Sequence, residues 1–497
     1  MKPSLNKVEA IPSNAEGVSF SDRARSGTIW IVVAFGGGQI LRLAANIALA
    51  ALLFEEAFAL MAIVSAVMMG LAMFSDIGLK PSVVQNARGD DPVFLQTAWT
   101  LQVIRGLVLF ICAVLLAWPI ARIYGANDPL ADELLWLIPL VALGAITDGF
   151  LSSRLLSAAR RMDIASVTKI EMLVQVSNAA LMVGLAWYLR SVYALAFAGL
   201  ASSALRLWLS YAMLPGRPDQ FRLDREAIRA IFGFGKWIFL STLISFLAIQ
   251  IDRLLLAAIF PLAEVGVYSI AASLALMVVV LNGALQSSIV FPWYARMLDR
   301  GVPLQDAFRR TRIPLLLVVT FLVALLVNGA SSFFELAYDQ RYAKGGDFLP
   351  ILAVGVWFSS LSGIYGSAFL AMGKSQWIAM VSAIKVSAFL LFLVVYLQFE
   401  HSIEMAVLAV LSAEVIATAT SQYLGWKVGL RNLQMEILLL FLLLGALAAG
   451  WWLLHYLSWV AGQPPFVRLL LLGLFQSCLF APLAYRFVLP VLRRSVT

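Results

Sequence analysis

Gln39, Arg42 and Asn46 stand at i, i+3 and i+7, a spacing that returns side chains to one stripe of an α-helix. The stripe crosses an apolar segment, where an ionisable group costs roughly a few kcal/mol or more unless it faces a partner or a wet interior. An arginine fork in such a place suits phosphate oxygens. Similar stripes recur. Thr168, Glu171, Gln175 and Asn178 share a face with Lys169 beside it; Arg105 follows Gln102, and Arg206 lies between Ser202 and Ser210. Further on come Ser241, Ser245 and Asp252 with Arg253 next to it, then Asn282 and Gln286, Ser382 and Lys385, and finally Glu414, Thr418 and Gln422.

Deep basic residues (Arg42, Arg105, Lys169, Arg206, Arg253 and Lys385) outnumber deep acids (Glu171, Asp252 and Glu414), with Asp76 and Asp148 nearer segment ends. A chamber with that surplus suits an anionic ligand. Gln39, Arg42, Asn46, Arg105, Lys169, Arg206 and Lys385 are therefore candidates for binding it, and Glu171, Glu414 and Asp252 for exchanging a proton or sodium ion. The competing reading is internal pairing: Lys169 or Arg105 with Glu171, Arg253 with Asp252, Lys385 with Glu414. Cys112 and Cys478 fall inside apolar segments and His401 and His455 are isolated. No disulfide framework, metal centre, cofactor or catalytic constellation is expected.

The elements that must hold these side chains are fourteen apolar stretches, at 28–54, 57–79, 97–117, 131–153, 164–189, 192–213, 237–260, 265–291, 314–336, 348–372, 377–398, 404–424, 436–457 and 467–489. The chain is 62% hydrophobic and 13% charged, about half the charge of a soluble protein. Each stretch supplies the roughly 20 residues that a helix needs to cross about 30 Å of hydrocarbon. In lipid every backbone polar group must be paired internally, so the stretches are helices. The fold class is an all-α polytopic membrane protein.

Orientation follows from lysine and arginine in the short loops. One set of loops holds Arg88, Arg160, Arg161, Arg217, Arg222, Arg225, Arg229, Arg296, Arg300, Arg309, Arg310 and Arg312, among others; the opposite set holds only Arg122, Arg190, Arg341, Lys344 and Arg468. Both termini are thus expected in the cytoplasm. The net charge of +8 belongs to this topology, and no nucleic-acid partner is expected. Residues 1–27 lack the apolar core of a secretory signal and read as a cytoplasmic arm. Two larger cytoplasmic loops, 215–236 and 293–312, read as short amphipathic helices. In the first, Leu223, Ala227, Ile231 and Phe234 share a face that would lie at the headgroup boundary.

The chain also repeats. Trp30 aligns with Trp237, and Ala59-Leu60 with Gly266-Val267, while the run from Gly149 to Arg160 is similar to that from Gly363 to Lys374. Spans 1–6 are thereby laid over spans 7–12 in the same membrane sense, because six is even. The expected division is an arm (1–27), a six-helix bundle (28–213), an amphipathic linker (214–236), a second six-helix bundle (237–424), and two additional helices with a short tail (425–497). Parallel repeats of this kind place a substrate path between the halves.

The run Ile249–Ser273, a hydrophobic helix ending near Asp252-Arg253 and then Val265-Gly266 and Tyr268-Ser269 opening the next, resembles the bacterial polysaccharide-export flippases. Phe291-Pro292, Tyr294-Ala295-Arg296 and Phe369–Lys374 fit the same pattern. These are the Wzx-like O-antigen and exopolysaccharide translocases of the multidrug/oligosaccharidyl-lipid/polysaccharide exporter superfamily. The resemblance implies a non-enzymatic transporter in the bacterial inner membrane. It would carry a lipid-linked oligosaccharide on undecaprenyl diphosphate between leaflets by alternating access, with membrane lipids, a polysaccharide polymerase and a chain-length regulator as partners. Alternatives are a multidrug exporter, which would favour acidic, aromatic-rich cavities, and a peptidoglycan-precursor flippase. A membrane polysaccharide polymerase or glycosyltransferase would need a large outward loop, which the sequence does not offer.

Overall fold

A bilayer gives backbone groups no partner, so a chain this apolar must close its hydrogen bonds within each segment. The computed structural model describes residues 37–488, apart from 76–78, 80, 81, 84, 85, 87, 162, 236, 237, 302, 431 and 432. The arm 1–27, the start of the first span, Asp76, Trp30 and Trp237 fall outside the described residues.

Eleven helices among the described residues are long and apolar enough to cross a membrane. With the shorter Gly37–Leu52 and two polar-bearing helices of spanning length they fill the fourteen expected places. They are α1 (Gly37–Leu52), α2 (Glu55–Phe74), α3 (Pro92–Gly125), α4 (Leu134–Gly149), α5 (Ile164–Leu189), α6 (Tyr193–Ala212) and α7 (Ile238–Ile259). The second series is α8 (Leu262–Leu285), α9 (Leu304–Ala337), α10 (Gly345–Ala371), α11 (Ser375–Phe399), α12 (Ile403–Lys427), α13 (Leu433–Tyr456) and α14 (Pro465–Leu483). Exposed aromatics gather near helix ends at two levels, Trp118, Trp136, Trp187 and Tyr456 at one and Trp208, Trp293, Tyr423 and Tyr485 at the other. Such girdles mark the two membrane–water interfaces.

Packing repeats with a period of six helices. In the first series α3 packs on α4, α5 on α6, and α4 on α6; in the second α9 packs on α10, α11 on α12, and α10 on α12. The equivalent helices α3 and α9 are both 34 residues long, each with an internal proline (Pro119, Pro314). Gly106 permits the close α3–α4 crossing, since a Cβ there would stand 2.5 Å from the Ala145 carbonyl oxygen. The halves meet chiefly through α2 against α7 and α8, and α13 and α14 lean on α9.

Two expectations need correction. The linker helix Arg225–Gly235 does not lie free on headgroups: Ala227 and Ile231 are buried against Val83, Phe94 and Ala98. Thr97 and Thr100 on α3 accept from the backbone N–H of Asp224 (3.1 Å) and Arg222 (2.9 Å), so spare hydroxyls of one helix seat the loop. The second loop is shorter than expected, because after the helix Phe291–Asp299 the membrane helix α9 already begins at Leu304. Its Arg312 is fully buried and paired with Glu436 of α13, beside Tyr365 of α10 and Gln422 of α12. The additional pair of helices is thus anchored by an interior charge, Arg312, which charge pattern alone assigns to a loop.

Candidate functional site

Polar stripes cluster into chambers because each apolar flank seeks lipid or core while the polar face has only other polar faces to meet. One chamber, of about 440 Å³, lies between the halves and is lined by α1, α2, α5, α6 and α8. Gln39, Arg42 and Asn46 face Gln175 and Asn178 across it. Asn46 Nδ2 donates to Ser273 Oγ of α8 (2.9 Å), and Ser202 Oγ donates to Asn178 Oδ1 (3.0 Å). Arg42 is exposed and has no carboxylate partner among the described residues. Among the described residues the chamber combines amides, hydroxyls and one cation, and no acid lines it.

A larger chamber of about 780 Å³ sits within the first half and adjoins the first at Met61 and Leu195. Gln102, Arg105, Asp148 and Arg206 supply its polar wall. Arg105 donates from Nη2 to the Ala72 carbonyl (2.7 Å) and from Nε to Ser75 Oγ (2.9 Å), holding the end of α2. Arg206 pairs with Glu171 at 2.5 Å and lies 3.9 Å from Asp148. In the second half Lys385 pairs with Glu414 at 2.5 Å, and Tyr268 Oη donates to Asp252 at 2.5 Å. Lys169 is exposed and lines neither chamber. The cationic surplus counted from the sequence is therefore concentrated: carboxylates neutralise Arg206 and Lys385, and Arg42 brings its charge to the space between the halves.

Gln39 and Met277 line a second space as well, an apolar groove of about 520 Å³. Leu281 of α8, Leu322 and Gly329 of α9, and Leu469 and Gly473 of α14 form its walls. A polar chamber and an apolar groove thus share a boundary at one glutamine.

The arginine-poor end is shut by a seam between the halves. Tyr124 Oη donates to the Leu254 carbonyl (3.1 Å), Asn127 Nδ2 to the Ala258 carbonyl, and the Leu262 N–H to Asp128 (3.4 Å). Tyr342 Oη donates to the Leu53 carbonyl (3.2 Å), and Gly266 packs so tightly on the Glu55 carbonyl that no Cβ would fit. The Ala258 carbonyl belongs to the last turn of α7, where helical acceptors go unused, and the Leu254 carbonyl lies one turn earlier.

Residues 48–345, more than half of the chain, match a family described as "Polysaccharide biosynthesis protein". No curated protein matches significantly. Among solved structures, the lipid II flippase MurJ in an inward closed conformation is similar with a TM-score of 0.70 at 13% identity, covering 93% of this chain and 100% of that one. The inward-facing conformation of a multidrug resistance MATE family transporter of the MOP superfamily gives a TM-score of 0.63 at 14% identity, covering 79% and 94%. The Vibrio cholerae MATE transporter VcmN in the bent form gives 0.53 at 16% identity, covering 84% and 99%. At these identities the likeness is one of fold.

Proposed function

We propose, from the premise that the chain belongs to the polysaccharide biosynthesis protein family, that it flips a lipid-linked oligosaccharide across the bacterial inner membrane. The carrier is undecaprenyl diphosphate, and the direction is from the cytoplasmic to the periplasmic leaflet, for surface polysaccharide synthesis. The arginine-rich loops and both termini lie in the cytoplasm in this reading.

One observation carries it: a polar chamber bearing Arg42, with no acid among the described residues that line it, shares Gln39 and Met277 with an apolar groove. A polyprenyl diphosphate glycan has the same division. Its diphosphate suits a guanidinium fork, its sugars suit the amides of Gln39, Asn46, Gln175 and Asn178, and its tail suits the leucine-lined groove along α9 and α14. Arg105 and Arg206 extend the polar surface into the first half, and Lys169 and Lys385 lie farther from the headgroup. Glu171, Glu414 and Asp252 are the acids available for coupling to an ion gradient. The seam at the arginine-poor end supports a cytoplasm-facing resting state, and rocking of the two halves about α2, α7 and α8 would expose the chamber to the other side.

Deletion of the gene tests the proposal in cells. The glycolipid intermediate is expected to accumulate in the cytoplasmic leaflet and surface polysaccharide to be lost. An even distribution of the intermediate with unchanged surface polysaccharide would refute the reading.

A further inference from the structure

Lys385 and Glu414 sit where two small cavities of the second half meet. One, of about 230 Å³, extends toward the arginine-poor end past Asp252, Arg253 and Tyr268. The other, of about 280 Å³, extends toward the arginine-rich end past Ser245, Ser362, Ser382 and Ser421. Lys385 and Glu414 line both, together with Ala248, Ile249 and Ser359, so their 2.5 Å ion pair is the charged part of the partition. Each cavity is roomier than the roughly 30 Å³ that one water occupies in the liquid, and each has the polar partners that water needs. A polar path thus runs through the second half and is interrupted at a single ion pair.

The charged surroundings of Glu414 are few. From α11 it faces Lys385, from α7 Asp252 and Arg253, and from α8 Tyr268, while α10 contributes Gly355 and Ser359, neither of which titrates. Two acids and two bases balance. The place beside Glu414 where a metal cation would sit is taken by the Lys385 ammonium, a donor of three hydrogen bonds that stays on its stem.

We propose that Glu414 is the proton-binding group of this transporter and that Lys385 is a tethered counter-cation, so that protons rather than sodium ions drive exchange between states. A proton arriving from the arginine-poor end, through the cavity past Asp252 and Arg253, adds to the Glu414 carboxylate and breaks its pair with Lys385. The ammonium turns to Asp252, whose bond from Tyr268 gives way. When Glu414 releases the proton into the opposite cavity the original pair re-forms, so one proton enters and one leaves per cycle. Asp252 precedes by two residues the Leu254 carbonyl that carries the seam from Tyr124. Pulling on Asp252 therefore pulls on the closed end.

The inference rests on the transporter reading but is tested without any glycolipid. The full-length protein, with Cys112→Ser and Cys478→Ser, carries spin labels at Leu130→Cys and Phe399→Cys, both exposed and on opposite halves. Distances are measured in nanodiscs by pulsed electron resonance across pH, in sodium and in choline. The expected result is a switch between two distance populations that follows pH and is the same in both salts. Glu414→Gln should hold one population at every pH, and Lys385→Met should move the switch to more alkaline pH. A protein that ignores pH, one that switches with sodium, or a Glu414→Gln protein that keeps the wild-type response would each overturn the proposal. If Glu414→Gln does not elute as a monodisperse protein, Lys385→Met decides: an unshifted switch overturns it. A pH switch in a protein that moves no glycolipid would remove the substrate reading and leave this one standing.

Discussion

Arg42 brings a guanidinium into the inter-half chamber without a carboxylate among the described residues to neutralise it. A hydrogen bond to a charged group contributes about 1.5–3 kcal/mol. Arg42→Gln should therefore weaken binding of undecaprenyl diphosphate to the purified protein about tenfold to a hundredfold, and Arg42→Lys should restore only part of it, because the bidentate fork is lost. Arg42 was legible in the sequence because its stripe is local, three and four residues apart. The pair Lys385–Glu414 was legible only as one of two readings, since it joins two helices and the choice depends on how they face; Glu171, expected to pair with Lys169 or Arg105, pairs instead with Arg206, because α5 packs on α6. Arg312 with Glu436 was not legible at all. Charge pattern groups Arg312 with Arg309 and Arg310 in a loop, and only the packing of α9 on α13 buries it. Removing one member of such a buried pair costs about 3–5 kcal/mol, whereas an apolar replacement of both is close to neutral. Thermal unfolding should accordingly show Arg312→Met and Glu436→Leu each strongly destabilised and the double variant close to wild type.

At the scale of elements, helix order followed from hydropathy, and the ends did not: α3 and α9, expected at 97–117 and 314–336, are 34 residues each. α3 reaches Pro92 because Asp91 caps it, accepting from the Val93 N–H at 3.0 Å. The Arg88 guanidinium, bonded to Asp91 at 2.9 Å, and then the Val93 N–H hold that carboxyl below its usual range. A lowered carboxyl stabilises the fold above its unfolded value and stops doing so as pH falls through the folded one. The melting temperature of Asp91→Ala should therefore lie below wild type at neutral pH and converge with it on acidification. The amphipathic period of the linker helix was plain, but the period alone names no partner, and the apolar face found Phe94 and Ala98 of α3 rather than lipid. The seam belongs to this scale too. With Cys112→Ser and Cys478→Ser, bridging Tyr124→Cys to Leu254→Cys with a short bis-methanethiosulfonate reagent, which forms a disulfide at each thiol and releases methanesulfinate, should abolish translocation, leave undecaprenyl diphosphate binding intact, and be reversed by reductant.

For the whole molecule, helix packing recurs with a period of six, α3 on α4 matching α9 on α10, and α5 on α6 matching α11 on α12. The weak sequence matches lay spans 1–6 over spans 7–12 in one membrane sense because six is even, and the equal lengths of α3 and α9 fit that reading. Which end is shut could not be read from the sequence, since Tyr124, Asn127 and Tyr342 bond to backbone carbonyls that any sequence would offer. The measurement that bears most directly on the central claim is leaflet exchange of an undecaprenyl diphosphate-linked oligosaccharide in vesicles holding only this protein. Rapid exchange with the wild-type chain, lost in Arg42→Glu, is the expected result. Exchange no faster than in protein-free vesicles, or equally fast in Arg42→Glu, would contradict the account.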